Sequence, residues 1–290
     1  MLNKEIKVLR ISCLPTPDFP ASGLTSHMIA KGSSDLLAIP FPRELCLFEY
    51  GNLELVSDLR IDLRAKKNYK FIRLLLSIYY SFTLSRIAIN NAVDVVHVHW
   101  IPLIFIRLFI RKKNIKFVLT IHGEDARYLQ YLPFRFVVKR FTKVYVVGSY
   151  WTSFLLKKGF NVEEIPNFSP IEKEIKDNLQ NSKTHRNDLP SKQLCVVASD
   201  KSHKNLKIFK EMPKEFFEHL KLSKLSLNIV GVSKNYFLKI MEVEDIPDGI
   251  ILSGRQSRLN TLSIINKSDL LLIPSFTEGN PKVVWESVEL

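Results

Sequence analysis

Cysteine is scarce in this sequence. The three cysteines, Cys13, Cys46 and Cys195, lie far apart and form no C-x-x-C pair. Small secreted domains that depend on disulfides carry dense and usually even sets of cysteines. The pattern therefore excludes a disulfide scaffold and favours a reducing compartment such as the cytosol, with the thiols as buried core residues.

The sequence also lacks a long uncharged apolar run. Charged residues stand among the first seven positions, where a signal peptide would need an apolar stretch, so we expect no targeting segment. The most apolar stretch, 71–89, is interrupted by Arg73 and Arg86. A membrane-spanning helix needs about 20 mostly uncharged residues. We therefore expect a buried or surface-docking helix at this position.

Two phosphate- and metal-binding patterns are missing. The sequence contains no G-x-x-x-x-G-K-[ST] phosphate loop and no D-x-D pair of carboxylates. Nothing in the sequence therefore indicates a bound metal.

Positive charge is abundant but unevenly distributed. Residues 1–165 hold 24 Lys and Arg residues against 13 Asp and Glu residues, within a total net charge of +13. Basic residues beside apolar faces suit an anionic membrane surface. An ordinary solvated charge distribution is the alternative. The basic runs match no nucleic-acid-binding module, so we expect no nucleic-acid partner.

Short apolar runs rich in β-branched residues alternate with segments of helical spacing. The runs that we predict as strands are 8–13, 93–98, 117–121, 144–147, 194–198, 225–230, 249–252 and 270–273. This alternation predicts an α/β fold with two doubly wound, Rossmann-like domains facing a cleft. We expect an N-terminal domain at 1–166, a polar linker at 167–192 and a C-terminal domain at 193–290.

The most informative segment is 268–286, near the end of the sequence. An apolar strand runs out at Pro274, a Glu-Gly turn follows at Glu278, and Pro281 stands where a helix can begin. Free backbone N–H groups at such a helix start suit a diphosphate. Glu278 on the loop and Glu286 inside the helix are suited to the hydroxyl groups of a sugar and a ribose.

This segment resembles the E-x7-E signature of family 4 retaining glycosyltransferases, which have the two-domain GT-B fold. The resemblance implies that Glu278 approaches the donor sugar and that Glu286 holds the nucleotide ribose. It also places Gly279, Asn280 and Pro281 in the donor site. The alternative is a capped surface helix with two ordinary acidic residues.

Histidines follow two predicted strands in the first half. His122 comes directly after the strand at 117–121, and the resemblance implies that it is catalytic and contacts the donor sugar near the reacting carbon. Residues 94–100 resemble the Asp-Val-Val-His-x-His strand of the same family. His97 and His99 share one face of that strand, and we expect them to pack or to support other residues.

Three further matches are partial. Asn167 belongs to a segment that resembles the family's Ile-Pro-Asn-Gly turn, and Gly23 belongs to a reduced version of its Pro-x-x-Gly-Gly loop. Residues 199–206 resemble the loop whose Arg and Lys stabilise the leaving diphosphate. Lys204 fits the Lys position, whereas Ser199 replaces the Arg, which leaves Lys201 as a substitute. All four of Gly23, Asn167, Lys201 and Lys204 are thus predicted donor contacts.

The resemblance implies an enzyme that moves a sugar, with retention, from a UDP- or GDP-sugar to an acceptor hydroxyl. The nucleotide-sugar is then a substrate, and no cofactor is expected. We expect a lipid-linked or saccharide acceptor in bacterial surface polysaccharide synthesis. The reaction is then expected in the cytoplasm, at the inner face of the plasma membrane. In the family the last helix continues into further βα units, so we expect an incomplete second domain. The alternatives are a nucleotide-sugar 2-epimerase and an inactive truncated remnant.

Overall fold

The computed structural model describes residues 6–12, 35–40, 54–57, 70–112, 114–166, 171, 175–179, 192–276, 278 and 281–290. The chain divides into two compact units, Met1–Asn167 and Phe168–Leu290. In the described residues, each unit contains one parallel sheet with helices packed against it.

Seven parallel strands form the sheet of the first unit, in the order β3-β2-β1-β4-β5-β6-β7. The strands are β1 Val8–Ile11, β2 Leu36–Ala38, β3 Glu54–Ser57, β4 Val95–Val98, β5 Lys116–His122, β6 Lys143–Val147 and β7 Glu163–Ile165. The order reverses direction between β1 and β4. Ligands of doubly wound sheets bind outside the carboxyl ends of the strands at such a reversal.

Helices of the first unit cover this sheet. They are α1 Lys70–Asn90, α2 Ile106–Phe109, α3 Leu132–Val138 and α4 Ser149–Lys157, and 3-10 turns lie at Ile101–Leu103 and Gly123–Gln130. In α1 the buried residues Tyr80, Leu84 and Ala88 recur every four positions, which places them on one helix face. They pack with Leu9, Val96 and Phe117 of the strands in one core.

Four parallel strands form the sheet of the second unit, in the order β10-β9-β8-β11. The strands are β8 Gln193–Val197, β9 Ser226–Val230, β10 Ile250–Gly254 and β11 Leu270–Leu272. The helices are α5 Lys214–Leu222, α6 Lys234–Met241, α7 Arg258–Lys267 and α8 Lys282–Glu289, with 3-10 turns at Ser202–Lys204 and Leu206–Glu211. The order reverses between β8 and β11, which marks the corresponding ligand position.

The short helical stretch 175–179 packs within the second unit. Ile171 and Leu179 are buried together with Leu262 of α7. Asn266 Nδ2 donates a hydrogen bond to the carbonyl oxygen of Leu179 at 2.7 Å. Part of the segment that the sequence predicts as a polar linker therefore contributes apolar contacts to this unit.

The predicted fold class is confirmed. Each of the eight predicted runs overlaps a strand, and β2, β3 and β7 are additional short strands that the pattern missed. Cys195 is buried, and burial raises the pKa of its thiol to about 11, so the thiol stays protonated. Cys13 and Cys46 lie outside the described residues. In the described part of the chain, no helix has the length and apolar character needed to cross a membrane.

Candidate functional site

The loops that follow β8 and β11 are joined side by side at the reversal point of the second sheet. Lys204 Nζ lies 2.5 Å from Glu278 Oε1, and each side chain is 21% exposed. Asn205 Nδ2 donates to the carbonyl oxygen of Pro274, and the N–H of Phe276 donates to the carbonyl oxygen of His203, both at 3.0 Å. Lys204 and Glu278 are thus held together by the strand order and by two further loop contacts.

A second ion pair links the beginning of α7 to the middle of α8. Arg258 Nε and Nη2 both lie 3.3 Å from Glu286 Oε1, and Glu286 is only 8% exposed. A carboxylate can stay charged at such a depth when a cation and hydrogen bonds compensate its desolvation. The guanidinium therefore explains how Glu286 is held inside the unit.

Lys282 occupies the first turn of α8, near this pair. Its pKa is lowered to about 8, mainly by burial; the negative charge of Glu286 opposes this change, and the positive charge of Arg258 adds a smaller lowering. Arg258 and Lys282 both stand in first helical turns, where the helix dipole disfavours cations. Positive charge concentrated against the dipole indicates a place suited to an anionic ligand.

Polar side chains on one face of the first sheet meet at the ends of β1, β4 and β5. Arg10 Nε donates to Asp35 Oδ2 at 2.6 Å, and Arg10 Nη1 lies 3.3 Å from His97 Nδ1. His97 Nε2 lies 2.8 Å from Thr120 Oγ1. Burial, together with the charge of Arg10 and His122, lowers the pKa of His97 to about 3, so the ring is neutral at physiological pH.

His122 ends β5 and lies against His99. Their Nε2 and Nδ1 atoms are 3.2 Å apart, and their rings stack with centroids 5.5 Å apart. Burial lowers the pKa of His99 well below its ordinary value, with smaller contributions from His97, His122 and Arg10. Among the described residues, no group of three His, Cys, Asp or Glu side chains is arranged to hold a metal ion.

Comparisons with known proteins agree with this architecture. Residues 34–173 match the model of the family described as Glycosyltransferase Family 4. The E. coli trehalose-6-phosphate structure bound with UDP-2-fluoro glucose superposes with a TM-score of 0.63 at 14% identity, over 98% of this chain and 81% of that chain. The α,α-trehalose-phosphate synthase (UDP-forming) of Burkholderia vietnamiensis gives 0.65 at 12% identity, over 98% and 82%. The chain has the GT-B fold.

A sucrose-phosphate synthase from Thermosynechococcus elongatus is another similar GT-B structure, with a TM-score of 0.63 at 12% identity over 98% of this chain and 79% of that chain. A search of curated proteins finds no significant match. Identities this low show the fold, and they leave the ligands of this GT-B chain to be inferred from its own residues.

The structure describes some of the predicted site residues of this GT-B chain and brings two of them together. Lys204 and Glu278 form an ion pair, Glu286 is held by Arg258, and α8 begins directly after Pro281. Lys201 is exposed on the loop that carries Lys204. His122 lies in the first unit, beside His99. Gly23, Asn167, Gly279 and Asn280 lie outside the described residues, so their roles stay predictions.

Several residues of these clusters were missed by the sequence reasoning. They are Arg10, Asp35, Thr120, Arg258 and Lys282. Arg10 carried a usable signal, because a charged residue inside an otherwise apolar strand is normally paired. Arg258 and Lys282 carried a second kind of signal, because cations in the first turn of a helix are opposed by its dipole.

Proposed function

We propose that this chain is a glycosyltransferase of the retaining type that binds a UDP- or GDP-sugar through its second unit and transfers the sugar to an acceptor hydroxyl. The observation that carries the proposal is the Lys204–Glu278 pair at the reversal point of a doubly wound sheet. This is the place where such sheets bind nucleotides and related ligands.

The chemistry of the pair matches a sugar-phosphate linkage. An ammonium group has three N–H donors, so Lys204 can hold Glu278 and a phosphate oxygen at the same time. The carboxylate has further acceptor positions beyond the one that contacts Lys204, and these suit sugar hydroxyl groups. The pair therefore offers a hydrogen-bond donor to a phosphate oxygen beside a hydrogen-bond acceptor for sugar hydroxyl groups. Recognition of a sugar linked to a diphosphate requires both.

Glu286 is assigned to the nucleotide ribose, and the start of α8 to the diphosphate. Backbone N–H groups at the beginning of this eight-residue helix are oriented toward the side on which an anion would lie. Lys201, Lys204 and the Pro281 helix start would stabilise the charge that develops on the departing diphosphate. That phosphate oxygen would take the acceptor proton on the same face of the sugar.

Similar structures support this choice of ligands. One is bound with UDP-2-fluoro glucose, a Burkholderia xenovorans synthase is in complex with glucose-6-phosphate, and a third is a trehalose-6-phosphate synthase described for enzymatic glycosyl transfer with retention. For this chain we propose a lipid-linked acceptor of bacterial surface polysaccharide synthesis at an anionic membrane surface. Its support is the basic first half together with exposed apolar residues on α1.

Calorimetric titration of the native chain with UDP and with GDP tests the donor site. We expect one of the two nucleotides to bind, and we expect Lys204→Ala to weaken binding about 10- to 100-fold, the effect of losing a charge-assisted hydrogen bond. Glu286→Ala should weaken binding of UDP or GDP more than binding of the corresponding 2′,3′-dideoxy nucleotide. Glu244→Ala removes an exposed acid of the same unit and serves as the matched control.

If neither UDP nor GDP binds, the donor site is refuted. Binding that Glu286→Ala leaves unchanged would refute the ribose assignment alone. Retention is tested separately, by proton NMR of the first product formed from a bound nucleotide-sugar. Its anomeric configuration should equal that of the donor.

A further inference from the structure

Three histidines of the first unit, His97, His99 and His122, form a chain of neighbouring rings. Arg10 Nη1 faces His97 Nδ1, His97 Nε2 faces Thr120 Oγ1, and His99 Nδ1 faces His122 Nε2. The rings of His97 and His99 are in contact, with centroids 3.9 Å apart. The arrangement of protons along this chain follows from which atoms can donate.

Arg10 sets the tautomer of His97. A guanidinium group only donates hydrogen bonds, so His97 Nδ1 must accept. The neutral ring then carries its proton on Nε2, which donates to the hydroxyl oxygen of Thr120. Asp35 balances the charge of Arg10 from the other side through its own contact at Nε.

His99 has two possible arrangements with His122, and they differ in what they leave at His99 Nε2. Among the described residues, this buried atom has no hydrogen-bond partner. If His122 donated to His99, the proton of His99 would lie on Nε2 as a buried N–H without an acceptor. If His99 donates, Nε2 carries only a lone pair. The second arrangement is favoured, because the positive charge of Arg10 acts on the His99 ring and further disfavours an unpaired N–H there.

We infer that His99 is a positioning residue that donates from Nδ1 to Nε2 of His122 and thereby holds His122 in its Nδ1–H tautomer. His122 then has one nitrogen committed as an acceptor toward β4, and its single N–H is on the other side of the ring. The inference rests on the proposed function for its consequence: a sugar oxygen at His122 would meet a donor, not a lone pair.

Nitrogen NMR of the native chain labelled with 15N-histidine tests the assignment directly. At a pH where the rings are neutral, one-bond and long-range couplings identify which nitrogen of each ring carries the proton. We expect Nδ1–H for His122 and His99 and Nε2–H for His97. A native spectrum with Nε2–H at His122 would overturn the inference without any variant.

Two variants separate the hydrogen bond from the packing of the ring. His99→Phe keeps an aromatic ring but removes the donor, and we expect the tautomer ratio of His122 to shift about 5- to 10-fold toward Nε2–H, as for the loss of one hydrogen bond. His99→Asn retains a donor near the position of Nδ1 and should restore the native ratio. An unchanged ratio in His99→Phe would show that His99 does not set the tautomer.

The NMR measurement is independent of nucleotide binding. If the native chain fails to bind UDP and GDP, the proposed function fails while the tautomer assignment can stand. If it does bind and transfer a sugar, His99→Phe should lower kcat by the same factor by which the NMR spectrum shows the Nδ1–H population of His122 to fall, with KM for the donor nearly unchanged. His219→Phe, an exposed histidine of the second unit, is the control for both readouts.

Discussion

Gly231 is a residue at which the backbone alone limits substitution. It follows β9 with φ of +89°, and a Cβ atom there would lie 2.2 Å from the carbonyl oxygen of Ala198, at the end of β8. Gly254 has φ of +61°, but a Cβ atom added there would have no neighbouring atom within 4 Å. Gly231→Ala therefore combines a left-handed conformation with a clash against backbone, whereas Gly254→Ala involves only the conformation.

We expect Gly231→Ala to destabilise the second unit by about 2–4 kcal/mol and Gly254→Ala by about 1 kcal/mol. Hydrogen exchange of the amides in β8 and β9, measured by mass spectrometry, reports the stability of this unit separately from the first. Equal exchange in the two alanine variants would show that the close approach to Ala198 does not limit the fold.

At this scale the sequence predicted individual residues better than it predicted their partners. Lys204 and Glu278 were identified in segments that follow predicted strands and resemble family motifs, but they are 74 residues apart, and their contact depends on β8 and β11 being neighbours. Arg258, which holds Glu286, belongs to a different βα unit and to no recognised motif. Long-range ion pairs of this kind follow from strand order, which apolar periodicity does not specify.

At the scale of elements, the first turn of α8 contains a lysine whose titration should affect stability. The pKa of Lys282 is lowered to about 8 in the folded chain, first of all by burial, against 10.5 ordinarily. Between these two values the unfolded chain binds a proton that the folded chain does not. Stability therefore rises with pH across this window, and the unfavourable contribution of the charged lysine is complete below about pH 8.

Lys282→Met should remove this dependence. We expect the free energy of unfolding of the native chain to rise relative to the variant by at most about 3 kcal/mol between pH 8 and 10.5, since one pKa unit corresponds to about 1.4 kcal/mol. Urea unfolding at several pH values measures the difference, in which other titrating groups cancel. Lys267→Met is the control on an exposed lysine of α7, and a native curve parallel to that of Lys282→Met would contradict the prediction.

Strands within apolar runs were predictable, and the strands at the two edges of the first sheet were not. The runs at 117–121 and 225–230 contain enough apolar and β-branched residues to predict the buried strands β5 and β9 without a partner. In contrast, β3 and β7 have only four and three residues and lie at the two edges of their sheet. β7 begins with Glu163 and Glu164, so its extended form depends on hydrogen bonds to β6 and not on an apolar pattern.

At the scale of the whole chain, the α/β class and its parallel sheets followed from the alternation of strand and helix patterns. The sheet orders did not, because right-handed βα connections are compatible with more than one order. The excess of positive charge in the first half also followed from composition. The apolar surface beside it was recognised only from the structure of α1. The buried face of this helix contains Tyr80 and Leu84, and another face carries exposed apolar side chains.

The exposed face of α1 carries Ile72, Leu75, Tyr79 and Phe82, which are between 45% and 67% exposed. The guanidinium of Arg86 lies over the ring of Phe82, and that ring contacts Phe109 at the end of α2. Exposed Arg111 and Lys112 follow directly. Apolar side chains bordered by cations are suited to insertion among anionic lipids.

We expect the native chain to sediment with vesicles that contain phosphatidylserine and to bind neutral phosphatidylcholine vesicles far more weakly. Replacing Ile72, Leu75 and Tyr79 together by Gln should reduce partitioning at least about tenfold, because the three partly exposed side chains together contribute more than the ~1.4 kcal/mol that corresponds to a factor of ten, while Gln keeps a helix-forming residue at each position. The matched control replaces exposed Leu222, Leu259 and Val288 of the second unit by Gln. Added salt should weaken binding by screening the cations. Equal sedimentation of the two triple variants would exclude the α1 face as the lipid-binding surface, even if the native chain binds vesicles.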